Sequence, residues 1–196
     1  MAQASPQKDL DGSLWKEFIA GNDAAFETLF KRYYPKLYQY GRKYDRDQEF
    51  VKDSIQELFT DLWSHRSSLS PTPSVRHYLY KSLRRKMLRL KLQRLETIPI
   101  SEEDPSFTLT LTPEQVMLNE EFAAEQQRQT EHWLSLLTPR QREAIYLRYY
   151  HEISYEEMAS MMDVENHTVR NLIYEALKFL RKRLTLLLLS LVLVTP

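Results

Sequence analysis

Cysteine is absent from this 196-residue chain, and glycine is nearly absent, with three residues that lie far apart. Without cysteine the chain has no disulfides and no thiolate zinc sites, a composition that fits a reducing cytoplasm. The scattered glycines exclude the glycine-rich loops that bind dinucleotides or nucleoside phosphates. The five histidines include no pair at metal-binding spacing, and the first residues lack the layout of an export signal. Nothing here supports catalysis.

Helix-forming residues dominate the chain and strand-like alternation is scarce, so we expect an all-α fold. The formal net charge of zero hides an asymmetry along the sequence. Residues 62–95 contain nine lysines or arginines and no acid, whereas residues 96–131 contain nine acids and one basic residue. A basic block followed by an acidic block indicates different partners for different parts of the chain.

The segment 138–184 carries the strongest local signals. Thr138, with proline next and glutamine at the third position, predicts a capped helix start. Ser154, with glutamate three residues later, predicts a second, short helix. Residues 163–165 then predict a tight turn, with Asn166 as the expected cap of a third helix. One apolar stripe recurs at helical spacing along that third helix: Val169, Leu172, Ile173, Ala176, Leu177 and Leu180.

A short helix, a tight turn and a longer amphipathic helix together predict a helix-turn-helix. Its second helix would offer a set of polar side chains to the DNA major groove: His167, Thr168, Arg170, Asn171 and Tyr174. Arginine and asparagine read guanine and adenine edges through paired hydrogen bonds. The same periodicity also fits an ordinary three-helix packing unit with a solvated polar face.

Four short motifs stand in order along this segment: Leu137-Thr138-Pro139 with Arg142, Leu147-Arg148-Tyr149, Ser154-Tyr155-Glu156-Glu157-Met158-Ala159, and Thr168-Val169-Arg170. Together they resemble region 4 of the sigma-70 class of bacterial transcription initiation factors, in the small extracytoplasmic-function (ECF) subgroup. The resemblance implies a domain that binds the promoter −35 element.

The N-terminal half contains a second set of matches. A clear helix is predicted over 50–65, and a long basic helix over 74–94. Residues 53–63 read D-S-I-Q-E-L-F-T-D-L-W, and the basic helix contains Y-L-Y at 78–80. Both stretches are similar to sigma region 2. The resemblance implies that polar residues on the first helix dock on the clamp helices of core RNA polymerase: Asp53, Gln56, Glu57 and Asp61.

The resemblance also implies that the basic helix and the loop before it bind the −10 element, help to melt it and capture a flipped base. We call residues 66–75 the specificity loop. The implied DNA contacts on this surface are Arg66, His77, Tyr80, Lys81, Arg84 and Arg85. Rows of lysine and arginine neutralise phosphates, so the affinity for DNA should fall steeply with salt. His77, Tyr78 and Tyr80 are the candidates for stacking on a base, although Tyr78 lies on the apolar stripe and is expected in the core.

The chain departs from the family pattern at several positions. Arg85 and Arg89 stand where the family often has asparagine and aspartate. Asp163 replaces the turn glycine but tolerates left-handed geometry better than most residues. Acidic or apolar residues replace the usual serine cap and basic positions of the recognition helix: Glu165, Leu172 and Glu175. These changes predict weak −35 binding or an unusual −35 element, without affecting the fold.

Five segments are expected. They are an N-terminal segment (1–21, frayed to 13, then a short helix over 14–20), region 2 (22–94), an acidic linker (95–129), region 4 (130–184) and an apolar tail (185–196). The linker should be flexible to 112 and helical after it. As a helix, its apolar run from Leu184 to Val194 spans only about 16 Å, too short for a bilayer core of about 30 Å. We expect it to extend the last helix and pack on the domain; binding a partner or a membrane surface are alternatives.

Two small helical domains joined by an acidic flexible linker are thus predicted. The resemblance implies a sigma factor that binds core RNA polymerase and promoter DNA and has no enzymatic activity, cofactor or small-molecule substrate. It also implies an anti-sigma partner. The competing functions are a helix-turn-helix regulator that acts without polymerase and a helical adaptor that binds only protein.

Overall fold

The computed structural model describes residues 6–94, 107–109 and 120–194, and every regular element in these ranges is helical. In chain order the elements are α1 (Pro6–Ile19), α2 (Asp23–Tyr44), α3 (Gln48–Ser64), a 3₁₀ turn (Arg66–Ser68), α4 (Val75–Arg94), α5 (Glu120–Ser135), α6 (Pro139–Tyr149), α7 (Tyr155–Met162) and α8 (Asn166–Val194). The all-α prediction is confirmed. Contacts divide the chain into two compact units, unit 1 (Met1–Glu103) and unit 2 (Asp104–Pro196).

Unit 1 is a bundle in which α2, α3 and α4 pack on one another and α1 packs on α2 and α4. The Asn22 side chain caps α2 by accepting a hydrogen bond from the Ala25 amide at 3.1 Å. Pro35 lies inside α2, which continues past it to Tyr44, so the proline does not begin a new helix. The core of unit 1 is rich in aromatic and branched side chains, including Phe18, Leu37, Tyr40, Val51, Ile55, Leu79 and Leu83.

The expectation of a frayed segment to residue 13 is wrong where the structure describes it. Helix α1 begins at Pro6, eight residues before the predicted start, and tertiary contacts stabilise it. Asp11 is buried and accepts hydrogen bonds from Arg32 and, at 2.5 Å, from the Tyr33 hydroxyl. A carboxylate on a polar stretch gives no sign in the sequence of these partners on α2.

In unit 2, helices α6 and α7 begin where the sequence predicted. Thr138 with Gln141 and Ser154 with Glu157 both form complete capping boxes. Asp163 ends α7 in the left-handed region, at φ 57° and ψ 48°. The prediction for Asn166 is wrong: it is the first residue of α8 rather than its cap. The Glu165 carbonyl accepts the first helical bonds, from the amides of residues 168 and 169.

The predicted flexible linker contains a stretch that packs on unit 2. Within residues 107–109, Phe107 and Leu109 are buried, and the Phe107 ring lies 5.6 Å from that of Tyr146. The rest of the linker before residue 120 lies outside the described residues. Helix α8 runs to Val194, so the tail extends the last helix as expected. Whether its side chains beyond residue 185 pack on the domain also lies outside the described residues.

Gly41 lets α2 approach α3 and α4 closely. A Cβ atom there would lie 2.7 Å from Val51 Cγ1 and 3.3 Å from Met87 Sδ, which is too close. We expect Gly41→Ala to lower the free energy of unfolding of unit 1 by about 1–3 kcal/mol, because a packed core resists an added methyl group. Urea unfolding followed by tryptophan fluorescence measures this.

Gly12→Ala is the matched control, because Gly12 is also helical and no atom lies within 4 Å of its added Cβ. It should stabilise by about 0.5–1 kcal/mol through helix propensity. Equal effects of the two substitutions would contradict a packing role for Gly41.

Candidate polymerase and nucleic-acid interfaces

The predicted polymerase-binding residues share one outer side of α3. Asp53, Gln56, Glu57 and Asp61 are all exposed, while Val51, Ile55, Leu58, Phe59 and Leu62 of the same helix are buried. The spacing of three, four and eight residues places the four polar side chains on adjacent helical turns. The structure therefore brings this predicted set together as a single solvent-facing surface, which we call the acidic face.

Lys86 of α4 joins two members of the acidic face. Its ammonium group donates to Glu57 Oε2 at 3.1 Å and to Asp61 Oδ2 at 2.8 Å. The lysine side chain is only 8% exposed, whereas the two acids remain 54% and 57% exposed. The hydrogen bond from Lys86 lowers the pKa of Asp61, because the charged carboxylate is the form that the ammonium group stabilises. Lysine 86 was not among the residues singled out from the sequence.

The predicted −10 residues divide into an outer and an inner group. Arg85 is exposed, and Arg66, His77 and Lys81 are half-buried. Tyr80 is 0% exposed and packs 4.9 Å from the ring of Tyr40. Arg84 is 6% exposed.

The burial of Tyr80 and Arg84 does not fit the prediction that they contact DNA. The apolar stripe of α4 turns Tyr80 into the bundle. The Arg84 guanidinium donates from Nε to the Tyr44 hydroxyl at 3.1 Å, so it serves the core instead. Both residues are therefore left out of the surface proposed below. The half-buried Arg66 stacks 4.2 Å from the Trp63 ring and donates to the Trp63 carbonyl at 2.7 Å.

A cavity of about 400 Å³ opens between the end of α3, the specificity loop and α4. Its apolar lining consists of Leu58, Leu62, Leu69 and the ring of Tyr78. Its polar lining includes His65, Asp61, Arg85, Lys86 and Arg89. Arg89 and His65 were not predicted as site residues, because their proximity to the loop depends on how α3 and α4 pack. The cavity thus combines one tyrosine ring and apolar side chains with basic groups beside the loop.

The predicted contacts of the recognition helix lie on the outer side of α8. His167, Arg170, Asn171 and Tyr174 are exposed, Tyr174 by 62%, and Thr168 is half-buried. Val169, Ile173 and Ala176 face the core of unit 2, as the stripe predicted.

Arg170 is held in place by its neighbours. Its Nε donates to Asn166 Oδ1 at 3.0 Å, and Asn166 donates to Glu156 Oε1 at 3.1 Å. The Tyr155 ring lies close to two guanidinium groups, 4.9 Å from that of Arg148 and 5.1 Å from that of Arg170. These contacts orient an arginine at the exposed start of the helix.

Arg142 organises the core of unit 2 below the recognition helix. Its guanidinium donates to the carbonyls of Phe107, Ser135 and Leu137 at 2.5, 2.9 and 2.6 Å. Burial lowers its pKa from the ordinary value, since desolvation disfavours the charged form. The same environment raises the pKa of Tyr146 to about 12, mainly through burial. Arg142 belongs to the first sequence motif, but the sequence did not indicate these three acceptors.

Two absences hold for the described parts of the chain. Among those residues, no cluster of three or more histidines and acids could hold a metal ion. No helix there is long and apolar enough to cross a membrane.

Lys86→Met should return the pKa of Asp61 to the ordinary range near 4, because the hydrogen bond that lowers it is lost. The stabilisation that this contact provides is present above the unfolded-state pKa, about 4, and is lost as pH falls through the lower folded-state pKa. The difference in unfolding free energy between about pH 7 and pH 3 should therefore shrink in this variant. Carboxyl titration by NMR and urea unfolding at both pH values provide the two measurements.

Lys52→Met is the control, because Lys52 is on α3, the helix that carries Asp61, but forms its ion pair with exposed Glu49 instead. It should leave the Asp61 titration as it is in the unmodified protein. An unchanged pKa of Asp61 in Lys86→Met would contradict the stabilisation of this carboxylate by Lys86.

Two family models match the chain, in the same order as the two units. Sigma-70 region 2 matches residues 29–95, and sigma-70 region 4 matches residues 127–180. Together the two models match more than half of the chain. The first match contains α3 and α4, and the second contains the helix-turn-helix.

Individual relatives agree with these matches. The ECF RNA polymerase sigma factors SigK of Mycobacterium bovis and Mycobacterium tuberculosis are 24% identical over 181 residues, covering 88% of this chain and 92% of theirs. The solved structure of CnrH with the cytosolic domain of CnrY is similar in fold, with a TM-score of 0.59 and 21% identity over 89% of this chain and 97% of that one.

The sigma factor RpoE of Bartonella quintana, solved with the anti-sigma factor NepR, gives a TM-score of 0.60 at 19% identity and covers 82% of this chain and 96% of that one. The matched models, their order and the full-length relatives lead to one conclusion. The chain belongs to the sigma-70 family of transcription initiation factors, in the ECF subfamily.

Proposed function

We propose that this protein binds core RNA polymerase through the acidic face of α3, directs it to particular promoters and assists DNA melting. Unit 1 would recognise the −10 element and unit 2 the −35 element. The observation that carries the proposal is that both family segments fold as compact units, with the acidic face of α3 and the predicted polar side of α8 turned to solvent. The family is one of non-enzymatic initiation factors, so the protein would supply specificity rather than a reaction.

Polymerase docking is supported by the acidic face. Four hydrogen-bonding side chains lie together on α3 and are fixed from below by a packed apolar side. Exposed carboxylates on a rigid helix favour a basic or hydrogen-bonding partner surface and make association depend on salt. Asp53 and Gln56 are the members that Lys86 does not hold, so they are the ones we expect to bind polymerase most directly.

The −10 contacts are proposed on the outward residues of α4, the specificity loop and the cavity beside them. From the predicted set these are Arg66, His77, Lys81 and Arg85; the cavity adds His65 and Arg89. Capture of a flipped base needs an apolar or aromatic wall for stacking and polar groups for its edges. The cavity offers Tyr78 and leucines for the first requirement and the basic side chains for the second.

The −35 contacts are proposed on the first turns of α8. His167, Thr168, Arg170, Asn171 and Tyr174 lie on the outer side of a helix that follows a tight turn, which is the arrangement that enters a major groove. Glu165, directly before the helix, and Glu175, on it, are exposed near these residues and would repel phosphates. We therefore propose weak or unusual −35 recognition, with Arg170 as the best-oriented base contact.

An anti-sigma partner is proposed from the two structural neighbours. CnrH was solved with the cytosolic domain of CnrY, and RpoE with the anti-sigma factor NepR. A similar partner would inhibit this protein by covering the polymerase-binding or DNA-binding surfaces of its two units. Since the protein would act with RNA polymerase on promoter DNA, we also propose that it is located in the cytoplasm.

The decisive experiment is run-off transcription on fragmented genomic DNA with core polymerase, with and without this protein, followed by sequencing of the new 5′ ends. We expect discrete new starts that share two upstream motifs. If no new starts arise while the protein alone binds duplex DNA, it is a polymerase-independent helix-turn-helix regulator. If it binds no DNA at any salt concentration, even with polymerase, the adaptor function is favoured.

Arg170→Ala tests the −35 proposal. Loss of a paired hydrogen bond to a base edge should relax preference at one base pair of the upstream motif, by about 1–3 kcal/mol. Holoenzyme binding to promoter variants with each base at that position measures the loss.

Arg183→Ala is the control, since it removes the same charge from an exposed site on the same helix but outside the proposed contacts. It should weaken binding evenly, if at all, and leave base preference unchanged. An even loss for both variants would show that Arg170 contacts only phosphate.

A further inference from the structure

Trp15 of α1 links the N-terminal helix to the specificity loop. Its indole Nε1 donates a hydrogen bond to the Ser70 carbonyl at 3.1 Å, across 55 residues of sequence. The Trp15 side chain is 1% exposed, whereas Ser70 is an exposed residue, so the bond is partly buried and its donor is the shielded partner. A donor buried in this way has few alternatives to its acceptor, so the bond ties the indole to this point of the loop.

The same indole also contacts the helix that follows the loop. Its ring lies 5.1 Å from that of Tyr78 on α4. Trp15 therefore contacts both the specificity loop, at Ser70, and the start of α4, at Tyr78. Tyr78 is in turn part of the wall of the cavity beside the loop.

Helix α1 is itself firmly attached to the bundle. Buried Asp11 bonds to Arg32 and Tyr33 of α2, and Phe18 packs 5.3 Å from Trp15 and 6.4 Å from Trp63. An anchored helix can transmit a fixed position to whatever its side chains hold. The region 2 model matches from residue 29, so α1 lies before the matched part.

The specificity loop has mainly short-range bonds of its own. The amides of Ser68 and Leu69 bond to carbonyls three residues earlier, at 2.9 and 3.2 Å, and Ser74 bonds to the Thr72 hydroxyl at 3.3 Å. Such local bonds shape turns but do not fix a loop relative to the rest of the domain. The hydrogen bond from Trp15 does fix the loop to the domain, at Ser70, the residue before Pro71.

We propose that Trp15 is a positioning residue for base recognition: it holds the specificity loop against α4 in the conformation that receives a −10 base. This inference rests on the proposed function, because it assumes that the loop contacts the non-template strand. Preorganising a loop lowers the ordering cost that binding would otherwise meet, so the bond should increase affinity and sequence discrimination without touching DNA.

Two variants separate the hydrogen bond from general packing. Trp15→Phe keeps an aromatic ring in the core but removes the N–H donor. Phe18→Leu perturbs the other buried aromatic side chain of α1 and leaves the bond from Trp15 to Ser70 in place. Both are made in the full-length protein.

The first measurement is amide hydrogen exchange of residues 66–75 in the free protein. Trp15→Phe should speed exchange in the loop by roughly 2- to 10-fold, the effect expected for the loss of one hydrogen bond. Phe18→Leu should change loop exchange by less. Unchanged exchange in Trp15→Phe, or an equal rise in both variants, would overturn the proposal.

The second measurement uses holoenzyme made from each variant. The probes are a single-stranded oligonucleotide carrying the −10 sequence of a promoter mapped by run-off transcription, and a scrambled oligonucleotide of the same composition. Trp15→Phe should lower the ratio of the two affinities by a similar factor, while affinity for core polymerase stays within about twofold. Full discrimination by this variant would overturn the functional part of the proposal.

The two measurements also distinguish this inference from the proposed function. If unmodified holoenzyme does not discriminate between the oligonucleotides, the −10 proposal fails, and the functional role of Trp15 fails with it. Loop exchange then still decides whether Trp15 positions the loop.

Discussion

The rotation of α4 about its own axis is the constraint on which unit 1 depends, and three of its basic residues set it, two of them buried and one half-buried. Arg84 bonds to the Tyr44 hydroxyl, Lys86 holds Glu57 and Asp61, and Lys91 donates to the Tyr44 carbonyl at 2.6 Å and lies 3.2 Å from Asp45 Oδ2. Removing a cation from water is costly unless it finds oxygen partners of this kind. Because Arg84 and Lys86 are buried and Lys91 is half-buried, Arg85 and Arg89 are the residues that face solvent, on the proposed −10 surface.

The same arrangement couples two surfaces that would bind different partners. Lys86 belongs to the basic helix but bonds to acids of the proposed polymerase-binding face. It therefore reduces the negative charge of that face at Glu57 and Asp61 and leaves Asp53 and Gln56 outside its reach. It also lines the cavity beside the specificity loop. The acidic face and the proposed −10 surface are thus parts of one rigid structure.

Unit 2 also contains a cation that is satisfied by oxygen partners, but there the acceptors are all backbone carbonyls. A half-buried arginine, Arg142, bonds to three backbone carbonyls, those of Phe107, of Ser135 at the end of α5 and of Leu137 just after it. Backbone acceptors satisfy the guanidinium without a second charge, and they tie what looked like linker to the domain. On this base α7 ends at the left-handed Asp163, and α8 starts with Arg170 already oriented by Asn166 and Tyr155.

The sequence by itself determined the all-helical class, most helix boundaries, both capping boxes and the polar face of α8. These follow from local chemistry: caps, turn residues and periodicity act within a few residues. Tertiary structure alone decided that α1 starts at Pro6, that Phe107 is core, and that Tyr80 and Arg84 turn inward while Arg85 stays outside. Long basic side chains and tyrosines suit either water or a partnered interior, so only the packing partners, distant in sequence, settle which environment each one has.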